Sequence, residues 1–441
     1  MGEGAGRRVS GVAGGAVSDV AGVVLDGVRP GAGVVRADSG TGGVLGGAPN
    51  DAALHAAGRR WTYRDLEHAI GEWNSRHRDL DCYDASELGL AEALVAVCAA
   101  ARRGIPVRVE NPEARPERAG IPAEAFLLVA TSGSTGRPRA LARTAASWYD
   151  SFPAFSARTG ITAADRVLIT GPLHATMHLF GALHALWAGA CVTDEPERAT
   201  AVHAVPAVLR EVVRAAPRLR TAVLAGIAPD PGALAVAAHL TVIEYYGSAE
   251  VSLVAARRVG GELDAAEVQG AGEAAAGKSR VAVRGDVSVE PLRLFAGVQA
   301  QTRNGLLFVR TPYAVLGAPE WSGVGDLAEL GADGSLRVRG RGDCAINVGG
   351  TLVVAEDVER TLAAVPGVRA VAVLGAPHTV FGAVVTAAVE LDPDAELTAV
   401  RARARTMLSR EAIPRRWIPM RRLPRTAAGK VARGALRDLL V

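Results

Sequence analysis

One stretch constrains this chain more than any other: Ala130-Thr131-Ser132-Gly133-Ser134-Thr135-Gly136-Arg137-Pro138-Arg139. The apolar run before it, 126–130, reads as a short buried strand, and residues 141–155 after it read as a helix. Two glycines, four hydroxyls and two arginines therefore fall in one strand-to-helix turn. Glycines let backbone N–H groups close around an anion, hydroxyls donate to phosphate oxygens, and arginine adds a fixed planar charge. In isolation the string also reads as a Gly/Ser-rich surface loop. A Walker P-loop is excluded, because that motif needs a Gly-Lys-Ser/Thr end and this stretch contains no lysine.

Lysine is almost absent from the whole chain. It occurs at Lys278 and Lys430, and the other 47 of 49 basic residues are arginine. A lysine kept against that bias is a candidate for work that only a compact ammonium can do. Lys278 lies in a Gly/Ala-rich loop and reads as chance survival. The formal charge of +3 over 441 residues, with no basic tract interleaved with aromatics, argues against nucleic acid as a partner. No apolar run approaches the roughly 20 residues of a membrane span, and no signal peptide is read at the N-terminus. Cys82, Cys98, Cys191 and Cys344 are scattered without metal-ligand spacing, which suits reduced thiols in a cytoplasmic protein.

The length suits two or three domains. Residues 1–50 are rich in Gly, Ala and Val and lack periodicity, so order is expected from about residue 52. Thr62 with Asp65 three residues on forms an approximate capping box for a helix to about His77. A helix over 88–103 and a strand over 105–109 follow. Beyond the Gly/Ser stretch, strand-like runs (166–170, 190–194, 221–225, 240–244) alternate with helix-like ones (179–188, 206–215, 230–238). That alternation predicts a mostly parallel, layered sheet. Short β runs at 281–284, 292–295, 298–302 and 306–310 predict a small β subdomain. A compact α+β unit then closes the chain, with helices 355–364, 397–411 and 433–440 and strands 368–374 and 383–390.

Several strings carry chemistry. Tyr245-Tyr246-Gly247-Ser248-Ala249-Glu250 follows a strand, where ligands bind in parallel sheets. Gly325-Asp326-Leu327 offers paired carboxylate oxygens. Gly340-Arg341-Gly342-Asp343 reads as a polar turn. Pro172-Leu173-His174-Ala175-Thr176-Met177-His178 and Ala225-Gly226-Ile227-Ala228-Pro229 are further turn-rich segments, and either histidine could equally be a buried core residue. Leu423-Pro424-Arg425-Thr426-Ala427-Ala428-Gly429-Lys430-Val431-Ala432-Arg433 contains one of the two lysines.

In this order, the strings resemble the motifs of the adenylate-forming superfamily: acyl-CoA synthetases, luciferases and peptide-synthetase adenylation domains. The Gly/Ser stretch is similar to Thr-Ser-Gly-Ser/Thr-Thr-Gly-x-Pro-Lys, with Arg139 in the lysine place. The final string is similar to Leu-Pro-x-Thr-x-x-Gly-Lys-Ile-x-Arg and is the most specific match. The resemblance covers about residues 52–441 and implies an α/β fold in a shortened member. A large N-terminal domain of layered, mostly parallel sheets (51–342, its β subdomain about 280–342) would precede a small mobile α+β domain (343–441).

The resemblance also implies roles. Thr131, Ser132, Gly133, Ser134, Thr135, Gly136 and Arg139 would hold the β and γ phosphates of ATP. Glu250 would hold Mg²⁺, Tyr246 beside Gly247 would stack on adenine, and Asp326 and Arg341 would take the ribose. Asp343 would be the hinge and Lys430 the catalytic cation. His174, His178, Gly226, Ile227 and Ala228 would line the acid pocket, where the branched Ile227 in a usual glycine place favours a small or flat acid. No Asp occurs between 171 and 190 to pair an amino group, which argues against an α-amino acid. The implied reaction joins a carboxylic acid to ATP as acyl-AMP, with release of pyrophosphate, and passes the acyl group to a thiol, most often that of CoA. A carrier-protein phosphopantetheine or an amine as acceptor stays open. So does a nucleotide-binding homologue without turnover, which Arg139 and Ala249 (a usual threonine) favour and Lys430, Glu250 and Asp326 oppose.

Overall fold

The computed structural model describes residues 25–26, 44–117, 120–131, 138–226, 231–259, 290–342, 345–348, 351–378, 382–425 and 431–440. The expected strand 281–284 and Lys278 lie outside the described residues, as does nearly all of the segment 1–43.

The first ordered helix, Tyr63–Arg76, starts where the capping box predicts. The Thr62 N–H donates to Asp65 Oδ2 at 2.8 Å, and the Asp65 N–H donates to Thr62 Oγ1 at 3.2 Å. Leu66 and Ile70 face inward from it, and Tyr63 sends its hydroxyl to the Ala190 carbonyl at 2.7 Å, with the Leu186 carbonyl at 3.1 Å. That contact fixes the helix against the end of the buried helix Thr176–Trp187.

Six strands form the parallel part of the main sheet. In spatial order they are Ala52–Ala56, Cys191–Thr193, Arg166–Ile169, Ala201–Ala204, Thr221–Leu224 and Thr241–Ser248. Their short apolar runs are buried on both faces, as helix-covered parallel strands require. Beyond Thr241–Ser248 the sheet turns antiparallel, through Ser252–Val259, Leu292–Leu294, Ser335–Arg341, Ser322–Leu330, Leu306–Arg310 and Gln299–Arg303. A second sheet joins Tyr83–Asp84, Val107–Arg108 and Leu127–Thr131 in parallel and adds Arg139–Arg143 antiparallel. A third contains Thr351–Val354, Ala345–Val348, Gly382–Leu391, Val368–His378 and Arg416–Pro419, around a separate apolar core that includes Val358, Leu362, Val373 and Val389.

Three readings of the sequence need correction. Residues 141–155 are not one helix. Arg139–Arg143 is a strand, followed by the short helices Ala146–Tyr149 and Phe152–Thr159, the second opened by a proline in its first turn. Leu127–Thr131 supplies the antiparallel ladder for Arg139–Arg143, so the Gly/Ser stretch joins two strands of a β-hairpin rather than a strand to a helix. Tyr245 to Ser248 are not a loop but the end of a strand, and Asp326 likewise sits within Ser322–Leu330. The strands Ala201–Ala204 and Ser252–Val259 were not expected, and Ser322–Leu330 and Ser335–Arg341, inside the expected β subdomain, were not read as individual strands. Inward charge explains one of them: Arg257 lies opposite Glu244 in the ladder and donates to it at 2.7 Å, so a paired charge stands where alternation calls for an apolar residue.

Tyr63→Phe leaves the ring in place and removes its hydroxyl from the two carbonyls. It should cost about 1–2 kcal/mol of stability in a urea titration; an unchanged midpoint would show that the hydroxyl contributes nothing to docking this helix.

Candidate active site

The residues expected to face phosphate are assembled from the hairpin outward. Thr131 lies directly opposite Arg139 in the ladder, so the two ends of the Gly/Ser stretch meet. Ser132, Gly133, Ser134, Thr135 and Gly136 themselves lie outside the described residues. The Thr131 Oγ1 atom is buried without a hydrogen-bond partner among the described residues. Arg139 reaches across to Glu250 as an ion pair, with the arginine side chain 66% and the glutamate 33% exposed. Four residues along the same strand, Arg143 is 1% exposed. Its guanidinium donates to the carbonyls of Tyr313 (2.7 Å) and Ala249. Burial pulls its pKa down to about 10, and the nearby Glu250 carboxylate pushes the other way. Sequence reading missed Arg143, because an inward-facing cation on this strand becomes visible only once the stretch is known to be a hairpin.

The residues expected to take the nucleoside meet at the end of Thr241–Ser248. The ladder to Ser252–Val259 shifts between Tyr246 and Gly247. A Cβ on Gly247 would lie 2.0 Å from the Ser252 carbonyl oxygen, so no larger residue fits this bulge. The Ser248 hydroxyl accepts from the N–H of Glu250 at 3.3 Å and of Val251 at 3.4 Å, which turns the chain so that Glu250 faces the hairpin. The Tyr246 hydroxyl donates to Asp326 Oδ2. Asp326 in turn lies opposite Arg341 in the ladder, with Arg341 Nη1 3.4 Å from Asp326 Oδ1 and 3.1 Å from the Val324 carbonyl. Burial first, and then the Asp326 carboxylate, hold the Tyr246 phenol well above its ordinary pKa. Tyr246, 80 positions before Asp326, and Arg341, on the neighbouring strand, thus share the Asp326 carboxylate.

Lys430 and Asp343 lie outside the described residues, as do Ile227 and Ala228. The residues flanking Lys430 are held. Arg425 and Val431 form an antiparallel bridge, the Ala432 N–H donates to the Pro424 carbonyl at 2.8 Å, and Arg433 pairs with Glu356 (3.1 Å) and Glu359 (2.6 Å). Among the described residues no group of three or more His, Cys, Asp or Glu is arranged to hold a metal, and no helix is long and apolar enough to cross a membrane.

Histidines cluster behind the segment that the resemblance assigns to the acid pocket. His174 lies in the loop before the helix Thr176–Trp187, and Gly226 ends the segment after Thr221–Leu224. His178 (5% exposed) and His184 (0%) lie on the helix, and His203 (0%) on Ala201–Ala204. Burial, and for His178 also the neighbouring His174, lowers their pKa values from 6.5: to about 4 for His178, to about 3 for His184, and well below for His203. The unfolded chain takes up protons at these positions near pH 6.5, whereas the folded chain does not. Their contribution to stability is therefore intact above pH 6.5 and is lost as the pH falls toward about 4 and 3. Acidification from pH 7 to 5 should remove on the order of 2 kcal/mol per histidine. Replacing His184 by Phe should flatten the urea midpoint against pH over this range; an unaltered slope would contradict the assignment.

Two family models match the chain: that of the AMP-binding enzyme over residues 81–317, and that of the AMP-binding enzyme C-terminal domain over residues 357–430. The chain is 28% identical over 346 residues to an uncharacterised acyl–CoA ligase of Bacillus subtilis, YhfT, across 72% of this chain and 69% of that one. It is 29% identical over 348 residues to a probable 2-succinylbenzoate–CoA ligase of Mycobacterium tuberculosis, across 70% and 83%. Among solved structures, ATP-bound MatB from Rhodopseudomonas palustris has the same fold, with a TM-score of 0.72 at 20% identity, over 89% of this chain and 96% of that one. The large mixed sheet, the smaller C-terminal sheet and both matches in chain order agree: the chain belongs to the AMP-binding enzyme family and is a ligase that forms acyl-adenylates.

Proposed function

We propose that the chain activates a small carboxylic acid with ATP and passes the acyl group to CoA. The observation that carries the nucleotide site is the convergence of Tyr246 and Arg341 on the Asp326 carboxylate, together with a buried Thr131 hydroxyl that has no partner among the described residues. Tyr246 stacks on adenine, while Asp326 accepts from the ribose hydroxyls and Arg341 steadies that carboxylate. Thr131, Ser132, Gly133, Ser134, Thr135, Gly136 and Arg139 surround the β and γ phosphates.

Glu250 is a hard oxygen ligand facing that hairpin, and a lone carboxylate suits Mg²⁺, which keeps waters and takes its other ligands from phosphate. Bound there, Mg²⁺ would neutralise charge between the phosphates. Arg139, paired with Glu250, is placed to exchange that carboxylate for phosphate oxygen. Carboxylate attack on the α-phosphorus brings two anions together. The C–O⁻ oxygen bonds to phosphorus and the bond to the pyrophosphate oxygen breaks. Lys430 offsets the growing negative charge, acting on the transition state. The chain divides at residues 342 and 343, and residues 343–441 rotate about Asp343 to bring first Lys430 and then the thiol to the site. In the second step the thiol sulfur bonds to the acyl carbon, AMP leaves, and the thiol proton is released.

A pyrophosphate-release screen over carboxylic acids, run with and without CoA, tests this. Acid-dependent release with CoA-dependent thioester formation is the expected result. Release with a carrier-protein phosphopantetheine or an amine consumed instead would move the acceptor and leave the activation step in place. Lys430→Ala should lower pyrophosphate release by at least about a hundredfold while ATP still binds; unchanged turnover refutes its role. Asp326→Asn should raise the KM for ATP by about tenfold or more, through loss of a charged acceptor.

A further inference from the structure

The imidazoles behind the acid-pocket segment hold more hydrogen-bonding capacity than the fold uses. Among the described residues, four ring nitrogens of His178, His184 and His203 are buried without a partner: His178 Nδ1, His184 Nδ1, and both Nδ1 and Nε2 of His203. Of these three rings, His184 has a polar contact there, with Ser156 Oγ at 2.7 Å from Nε2. A neutral imidazole carries one donor and one acceptor, and a buried donor left unmade is costly. The surrounding cluster offers a cheaper solution, since Phe155 packs 5.6 Å from the His203 ring, and Phe152 and Phe180 fill the adjoining space with plain rings.

Room for the imidazoles has nevertheless been made. A Cβ on Gly181 would lie 2.5 Å from His203 Cγ, and one on Gly171 would lie 2.3 Å from His178 Nε2. His203 is in register with Ile169 and Val223, on strands whose ends lead to Gly171 and Gly226. From His174 in the loop, through His178 in the first helical turn, the imidazoles thus lead inward below the carboxyl ends of the parallel strands, where ligands bind. Phe155 also packs 5.7 Å from Tyr245, the residue before Tyr246, so His203 lies one ring behind the nucleoside-side strand.

We propose that His178 and His203 form a polar floor to the acid pocket, and that the preferred acid carries a neutral hydroxyl or amino group on its far end. Both rings stay neutral in this setting, so they suit a neutral donor–acceptor group rather than a second carboxylate, which would be buried without a cation. This rests on the reading of the chain as an acid-activating ligase and adds the chemistry of the acid.

The test compares matched pairs in pyrophosphate release by the full chain: benzoate against 3- and 4-hydroxybenzoate and 4-aminobenzoate, and hexanoate against 6-hydroxyhexanoate. In at least one pair the substituted acid should exceed the plain one in kcat/KM by about tenfold or more, because a site built to hydrogen-bond a substrate group discriminates against its absence. His203→Phe should reduce that ratio at least about tenfold, and His178→Phe supplies the same comparison should the first variant fail to fold. A wild-type preference for the plain acids, or equal loss on both members of a pair in the variants, overturns the polar floor and leaves acid activation standing. No acid-dependent release from any acid overturns acid activation itself, and the polar floor with it.

Discussion

A guanidinium with almost no access to water ties the hairpin to the turn that carries Glu250. Arg143 spends its hydrogen bonds on backbone carbonyls, those of Tyr313 and Ala249, rather than on a carboxylate. A cation removed from water needs strong acceptors at fixed positions, and here the acceptors belong to segments more than a hundred residues away in sequence. Meeting that demand fixes the end of the hairpin strand against the turn that carries Glu250. The same neighbourhood is tightened by two backbone bonds, from Val315 to the Glu250 carbonyl and from Leu316 to the Ala142 carbonyl, both at 2.8 Å. The Glu250 carboxylate is close enough to favour the charged arginine, so the cation and the carboxylate support one another without touching.

The cluster around Tyr246 is organised by the opposite charge. Asp326 receives a phenol from one strand and a guanidinium from another. Strand register is what sets this up: Asp326 faces Arg341 across the ladder, and the bulge after Tyr246 swings the tyrosine toward them. Precision here comes from backbone hydrogen bonds of sheet, which are stiffer than the loop that the sequence suggests.

Local signals were legible and long-range ones were not. The capping box at Thr62 and Asp65, the helix over 90–103, the parallel alternation and the order of motifs all follow from short spacings. The hairpin at Thr131 and Arg139 was hidden because its second strand, Arg-Ala-Leu-Ala-Arg, has few β-formers and earns its ladder only from Leu127–Thr131. Ser252–Val259 and Ser322–Leu330 were hidden because arginines, glycines and acids interrupt their apolar runs, and their ladders come from distant strands. The motif order pointed to Tyr246, Asp326 and Arg341 individually, but their contact is a product of register. His203 was missed with its strand, a four-residue run between Thr200 and Pro206 too short to declare a period.

The carboxylates of Glu356 and Glu359 have a mechanical consequence. They seat Arg433, three residues beyond Lys430, and Glu356 also lies where a Cβ on Gly340 would come within 2.4 Å of its oxygen. One carboxylate in the first turn of Ala355–Ala363 thus stands between the Gly340 backbone and the Arg433 guanidinium, so a shift of either strand or helix is felt at once by the other.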